Sequence, residues 1–271
     1  RATFVGRNGL IQESGLTSAE LVTNGNFSQE GSELVTNGDF SNGGTGWLKS
    51  GEADRSLGKI ISTSGSLSSL TQVILTLGKR YKLQFEITDN TNGSIKVGSQ
   101  NGGLDIDASV NSLGIHTYIF TSLGTYISFA REGGITDITI DNVSVKEVGQ
   151  NWTLGTGWSI GTNELIATSM SNQFVTQSFT FTSGKRYRAS FSVAGTSSLP
   201  NNASLRLPYD GSISNIAYVN QNSDGVYSHE FISNGSSTLY LGYGSFTGSI
   251  TNISVIEIIG DKPRIDYSDS S

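Results

Sequence analysis

The 271-residue sequence contains no cysteine, three prolines and few charged side chains. Without cysteine the chain can form neither disulfides nor a thiolate nucleophile, and it cannot build a cysteine-based zinc site. Charged residues make up 15% of the chain and the net charge is −6, so the basic surface typical of a nucleic-acid binder is missing. No apolar run approaches the ~20 residues of a membrane-spanning helix, which argues against membrane insertion.

Glycine and small polar residues are abundant instead. The chain has 34 glycines and a surplus of serine, threonine and asparagine, which is typical of many short strands joined by tight turns. In KRYKLQFEIT, residues 79–88, every second side chain is apolar, as in a strand with one buried face. In ITDITIDNVSVKEV the apolar phase changes by one residue, which predicts a β-bulge near Asp141 and Asn142. The pattern predicts an all-β protein built from sandwiches of antiparallel strands.

Four motifs occur twice in the same order. The motifs are Gly-Trp at residues 46 and 157, GKRY at 78 and 184, GIHTYIF and GVYSHEF at 114 and 225, and NVSV and NISV at 142 and 252. Their separations of about 110 residues indicate two copies of one module. We therefore predict module 1 at 33–148 and module 2 at 149–259, with flanking segments at 1–32 and 260–271.

The ends of these modules resemble a known family. LVTNGDFSNGGTGW, from residue 34, and ITIDNVSVKEV, from residue 138, resemble the first and last strands of jelly-roll carbohydrate-binding modules of the CBM4/9/22-like group, and NWTLGTGWSI through ITNISVIEI resembles a degraded second copy. The resemblance implies two tandem antiparallel β-sandwich (jelly-roll) domains. In such modules LVTNGDF is the opening strand, with Phe40 in the core.

The nine residues ELVTNGNFS at 20–28 nearly duplicate ELVTNGDFS at 33–41. We refer to these as the first and second opening segments. Because only the second is followed by a full module, we predict that it opens module 1. The first is then a spare copy in the N-terminal flank, left by a short duplication or by a lost module. It would act as an edge strand or a linker.

The flanks carry a second resemblance, to segments that bracket inserted modules in tailed-bacteriophage fibres and other virion proteins. The matching residues are Asn8, Gly9, Leu10 and Ile11, then Pro263, Arg264, Ile265, Asp266 and Tyr267. Gln12 stands where an acidic residue is usual. The resemblance implies a location on the virion surface, outside the host cell, with other virion subunits as partners. It also implies a homo-oligomer, commonly a trimer.

The family resemblance also implies a structural calcium ion near the first and last strands. The matching carboxylates in module 1 are Asp39 and Asp141, with Asn37 or Ser41 as further oxygen ligands. Asn252 takes the place of Asp141 in module 2, which weakens the match there.

Sugar binding would use exposed aromatic rings beside polar groups, because a pyranose has an apolar face and a rim of hydroxyls. Tyr240 is out of phase with Leu239 and Leu241, so we expect its ring to point away from the core. The alternative to sugar binding is that these are ordinary surface tyrosines without a binding role. Trp47 and Trp158 share a repeat position and are predicted core anchors. The candidate glycan-binding residues are Tyr209, Tyr218, Tyr240, Trp152 and Arg206.

The sequence contains no residue pattern that is typical of a catalytic site. Asp105 and Asp107 lie two residues apart in GGLDIDAS, where they could share acid-base work, but a solvated strand face is favoured. We therefore predict a protein that is not an enzyme.

Three functions stay open. The first is a bacteriophage tail fibre, tail or head appendage that binds host-surface polysaccharide or another glycan. The second is a pair of binding modules from a secreted polysaccharide hydrolase. The third is a purely architectural β-protein of a virion or filament. The first fits the flanks best.

Overall fold

A computed structural model describes residues 2–5, 11–14, 17–195, 204–210, 218–220, 224–242 and 245–259. These residues form strands and turns, and every strand pair is antiparallel. Among them, no helix is long and apolar enough to cross a membrane. The chain divides into two compact units, Gln29–Gln150 and the pair Arg1–Ser28 with Asn151–Ser271. We keep the names module 1 and module 2 for these units.

Module 1 contains two five-stranded sheets. One has the order β10-β7-β12-β3, with β5 also paired to β12, and the other has the order β4-β6-β11-β8-β9. The strands are β3 (Glu30–Glu33), β4 (Leu48–Ser50), β5 (Lys59–Ser62), β6 (Ser69–Val73), β7 (Arg80–Asn92), β8 (Ile95–Gly98), β9 (Asp107–Val110), β10 (Gly114–Thr121), β11 (Tyr126–Arg131) and β12 (Thr136–Val148).

Module 2 repeats this arrangement. Its sheets have the orders β14-β15-β22-β17-β20 and β13-β16-β21-β18-β19, and β1 (Ala2–Val5) pairs separately with β2 (Ile11–Ser14). The other strands are β13 (Thr153–Leu154), β14 (Trp158–Ile160), β15 (Leu165–Ser171), β16 (Phe174–Ser178), β17 (Arg186–Ala194), β18 (Ser204–Tyr209), β19 (Tyr218–Asn220), β20 (Gly225–Ile232), β21 (Thr238–Gly242) and β22 (Ser245–Glu257).

Each module has its core between its two sheets. In module 1 the ring of Phe85 on β7 meets Phe129 on β11 edge to face, with centroids 4.9 Å apart, and both side chains are fully buried. In module 2 the alternate residues Ala189 and Phe191 of β17 are buried, as is Leu241 of β21. The predicted fold class, two antiparallel β-sandwiches of the jelly-roll type, is confirmed.

The predicted bulge in β12 is also confirmed. The register with β7 shifts between Asp141 and Ser144, and Asn142 has a φ of 52°. The extra residue returns Val143 and Val145 to the core side that Ile140 already occupies. Asn252 has a φ of 54° at the place of Asn142 in module 2. Thr251, and not Asn252 as predicted, therefore corresponds to Asp141.

The first opening segment is not a spare copy in a flank, and this corrects the predicted boundaries. The Leu21 amide donates to the Val255 carbonyl (3.1 Å), and the Ile253 amide donates to the Gly25 carbonyl (2.9 Å). The second opening segment makes the same bonds in module 1, from Leu34 to Val145 and from Val143 to Gly38. Residues 20–28 therefore complete module 2, and residues 29–150 are inserted between its two parts.

A glutamate begins each opening segment and ties it to the last strand. Glu20 accepts hydrogen bonds from the amides of Leu21, Val22 and Val255, each within 3.0 Å, and from the Ser254 hydroxyl. Glu33 accepts the same set in module 1, from Leu34, Val35, Val145 and Ser144. The first Glu of ELVTNG thus explains why the whole motif occurs once for each sandwich.

The flanking motifs lie mostly outside the described residues. Ile11 begins β2 and pairs with Val5, and Gln12 pairs with Phe4. Asn8, Gly9 and Leu10 lie outside the described residues, as do Pro263, Arg264, Ile265, Asp266 and Tyr267.

Candidate functional site

Four of the five predicted glycan-binding positions lie on three neighbouring strands of module 2. The backbone register places Arg206 of β18 opposite Tyr218 of β19, and Tyr209 of β18 opposite Tyr240 of β21. The side chains of Arg206, Tyr209 and Tyr218 lie outside the described residues. The topology thus brings together positions that are up to 34 residues apart in sequence.

Tyr240 lies on the outward side of this sheet, as its phase predicted. It is half-buried, whereas Leu239 and Leu241 on either side of it are fully buried. Its ring meets Phe174 of β16 edge to face, with centroids 5.4 Å apart and planes at 76°. Thr176 is the direct cross-strand partner of Tyr240. We call this outward surface of Phe174, Thr176 and Tyr240 the aromatic face.

Phe174 was not among the predicted glycan-binding residues. The alternation in FVTQS carries the signal, because Val175 and Gln177 are buried while Phe174 and Thr176 are half-buried. Gln177 points inward and exchanges two hydrogen bonds with the backbone of Thr23. The alternation alone therefore predicts that the large apolar side chain of Phe174 lies on the outward face of its strand.

Module 1 has small hydroxyl residues where module 2 has the aromatic face. Gln72 exchanges the same two hydrogen bonds with Thr36 that Gln177 makes with Thr23, so these glutamines align the modules. Three residues before Gln72 stands Ser69, which corresponds to Phe174 three residues before Gln177. Thr71 corresponds to Thr176, and its cross-strand partner Ser128 therefore corresponds to Tyr240. Ser128 is fully buried and accepts a hydrogen bond from the Gly102 amide. The aromatic face therefore belongs to module 2 and not to the fold that both modules share.

Trp152 is not an exposed platform, and the prediction that it binds glycan is corrected. The residue is 9% exposed, its ring packs against Phe27 with centroids 5.4 Å apart, and its Nε1 donates to the Asn24 carbonyl (3.0 Å). Trp47 makes the equivalent contacts, to Phe40 and to the Asn37 carbonyl. Trp152, rather than Trp158, is thus the counterpart of Trp47, although Trp158 is also buried.

The two predicted calcium ligands make short-range hydrogen bonds. Asp39 Oδ1 accepts from the amide and the hydroxyl of Ser41, and these bonds lower the pKa of the Asp39 carboxyl. Asn26 makes the same two bonds with Ser28 in module 2, so this turn can close without a charge or a metal. Asp141 Oδ1 accepts from the Asn142 amide (2.7 Å). The contacts favour turn capping at both aspartates.

Asp105 and Asp107 each accept hydrogen bonds from other residues of module 1. Asp105 accepts hydrogen bonds from the amide and the hydroxyl of Ser99. Asp107 accepts one from the Tyr118 hydroxyl (2.8 Å); burial and this neighbouring carboxylate raise the pKa of Tyr118. In the described part of the chain, no group of three or more His, Asp or Glu side chains is placed to hold a metal ion.

Comparisons with known proteins add little to this geometry. No family model matches the chain, and no curated protein does. Among solved structures, the chain is similar to the tandem CBM22-1-CBM22-2 domain from Paenibacillus barcinonensis Xyn10C, at 12% identity and a TM-score of 0.28, covering 84% of this chain and 98% of that one. It is also similar to an anti-sigma factor domain-containing protein, at 11% identity and a TM-score of 0.20, covering 78% and 89%. These values are too low to support an argument about fold or function.

Proposed function

We propose that this chain is a non-enzymatic bacteriophage virion protein, part of a tail fibre, tail or head appendage, that attaches to host-surface glycans through module 2. The observation that carries the proposal is the aromatic face. The module built on the same plan has serines at the corresponding positions of Phe174 and Tyr240. The fold that both modules share does not require rings at these two positions, and this supports a binding role for them.

The chemistry of the face suits a sugar. An aromatic ring packs against the apolar C–H face of a pyranose, while nearby hydroxyl, amide and guanidinium groups bind its hydroxyl rim. Tyr240 and Phe174 supply rings in contact with each other. The register sets Tyr209 beside Tyr240 and puts Arg206 and Tyr218 on the next strands. These five positions define the proposed glycan site.

The virion setting has separate support. It comes from the sequence of the two flanks, which resembles segments that bracket modules in phage fibres. In that setting the protein lies on the particle surface, outside the host, and contacts other virion subunits.

An architectural role is the second candidate, and a different observation favours it. β10 and β20 are eight-residue strands at the outer edges of their sheets, and such edges can pair with another chain. A purely architectural protein would not need the aromatic face to bind sugar.

The decisive experiment measures glycan binding by the full chain and by a variant that gives module 2 the residues of module 1. We expect wild type to bind a subset of a host-polysaccharide array and Phe174→Ser with Tyr240→Ser to lose at least about tenfold in affinity, because each stacked ring contributes about 1 kcal/mol or more. Tyr126→Ala is the matched control, since this half-buried tyrosine lies on β11, the strand of module 1 that corresponds to β21. Calcium at Asp39 and Asp141 stays a prediction, tested by adding a chelator.

No binding by folded wild-type protein would favour the architectural role. Equal loss of binding in the control and in the double variant would show that the aromatic face is not the site.

A further inference from the structure

Two sheet edges stand out among the described residues because of their length. Among the described residues, the sheets end at β1, β2, β3, β4, β5, β9, β13, β14 and β19, which are two to four residues long, and at β10 and β20, which are eight residues long. Short edge strands are a common protection against pairing with another chain, because they offer few free amide and carbonyl groups. β10 and β20 lack that protection.

β10 also lacks the other usual protections. Its sequence, GIHTYIFT, has no proline and no Asp, Glu, Lys or Arg. Its register with β7 runs without a shift from Gly114 to Thr121, so no bulge twists the edge away. On its outward side Ile115 is 69% exposed. β20 differs, because Glu230 on its outward side pairs with Arg188 at 2.8 Å.

The order of residues in β10 is self-complementary. If a second β10 lies antiparallel with Thr117 opposite Thr117, then Ile115 faces Ile119 of the second copy on the outward side, and His116 faces Tyr118 on the inward side. Cross-strand apolar and aromatic pairs of this kind stabilise antiparallel strands. If two copies of β20 paired antiparallel with Ser228 opposite Ser228, the exposed Val226 of one copy would face the charged Glu230 of the other.

We propose that two copies of this chain associate through β10, antiparallel and centred on Thr117. The free edge groups of one strand bond to those of the other, and the β10-β7-β12-β3 sheet continues across the two-fold axis into the second copy. The contact is isologous and closes with two copies. It therefore gives a dimer, whereas the resemblance of the flanks to phage fibre segments implied a trimer.

Charge substitutions test the partner and the register together. Ile115→Lys with Ile119→Lys puts like charges opposite each other twice, and we expect the dimer dissociation constant of the full chain, measured by sedimentation equilibrium, to rise about tenfold or more. Ile115→Glu with Ile119→Glu should do the same, and an equimolar mixture of the two variants should form a mixed dimer. Val226→Lys with Ile232→Lys is the matched control on β20, where both side chains are more than half exposed, and should leave the dimer intact.

Cysteine crosslinking tests the register independently. Because the sequence contains no cysteine, an introduced cysteine is the only thiol in each copy. Thr117→Cys places one thiol at the two-fold axis, within disulfide range of its copy. Thr121→Cys, four residues along, separates the two thiols by about 27 Å. Each threonine accepts one hydrogen bond from a β7 side chain, Gln84 or Arg80, so the replacements disturb module 1 similarly.

We expect mild oxidation to crosslink the first variant and not the second. Wild-type protein that stays monomeric over the whole concentration range would overturn the proposal. Equal weakening by the β20 control, or equal crosslinking at both positions, would overturn it as well.

Discussion

At the residue scale, Glu30 joins three strands of module 1. It lies on β3, and its two carboxylate oxygens bind Lys82 of β7 (2.6 Å) and Lys146 of β12 (3.0 Å). Hydrogen bonds from these two lysines lower the pKa of Glu30 from its ordinary value of 4.5. A carboxyl whose pKa is lower in the folded state stabilises the fold above its unfolded pKa, and this contribution is lost as the pH falls through the folded value.

We predict a pH-dependent cost for Glu30→Gln. At pH 6 to 7 the variant should be less stable than wild type by less than about 1 kcal/mol, because the pair is partly exposed and screened by solvent. The difference should begin to shrink as the pH falls through the unfolded pKa of about 4.5, and it should vanish below the lower folded pKa of Glu30. Denaturant unfolding from pH 3 to 7, with 1 M salt as a control that weakens the ion pairs, measures it. A difference that stays constant over this range would contradict the assignment.

At the element scale, one asparagine sets the course of each last strand. Asn142 takes a left-handed conformation within the bulge of β12, and Asn252 does so in β22. Asparagine and glycine tolerate this conformation, whereas a Cβ without a local hydrogen-bonding group costs about 1 to 2 kcal/mol. The bulge is what lets a 13-residue strand keep apolar side chains on the core side over its whole length.

We predict that Asn142→Ala lowers the free energy of unfolding by about 1 to 2 kcal/mol and that Asn142→Gly changes it by less than about 0.5 kcal/mol. The side chain also donates to Glu86 at the exposed surface (3.1 Å), a bond that both variants lose equally. Denaturant unfolding of module 1 measures both effects. If glycine were as damaging as alanine, the side-chain contact and not the backbone would decide the bulge.

At the scale of the whole molecule, module 1 is suited to insertion because its ends meet. Val148 of β12 pairs with Glu30 of β3, so the chain leaves module 1 close to where it enters. A domain whose termini are adjacent can be inserted into a turn of another domain without distorting either. Here the turn lies between Ser28 and Asn151 of module 2.

Local features could be predicted from the sequence, but the assignment of the first opening segment to module 2 could not. Alternation predicted the strands, the phase change at Asp141 predicted the bulge, and the phase of Tyr240 predicted its outward ring. The place of the first opening segment was mispredicted because its partners, Val255 and Ile253, lie more than 220 residues away. A segment separated from its module by an insertion has no neighbouring pattern to show where it pairs. The Gly-Trp motif likewise aligned Trp47 with Trp158, while contacts to Asn24 and Phe27 align it with Trp152.

Residues 20–28 complete module 2, and two alanine variants test this assignment. A Cβ at Gly25 would lie 1.9 Å from the Ile253 carbonyl oxygen, and one at Gly38 would lie 2.0 Å from the Val143 oxygen. Both distances are well inside van der Waals contact, so each variant should break the module to which its segment belongs.

The measurement is amide hydrogen exchange by mass spectrometry on the full chain. We expect Gly25→Ala to reduce the protection of β17 and β22, which lie more than 160 residues away, and to leave β7 and β12 protected. We expect Gly38→Ala to reduce the protection of β7 and β12 instead. If Gly25→Ala left β17 and β22 as protected as in wild type, the first opening segment would not be part of module 2.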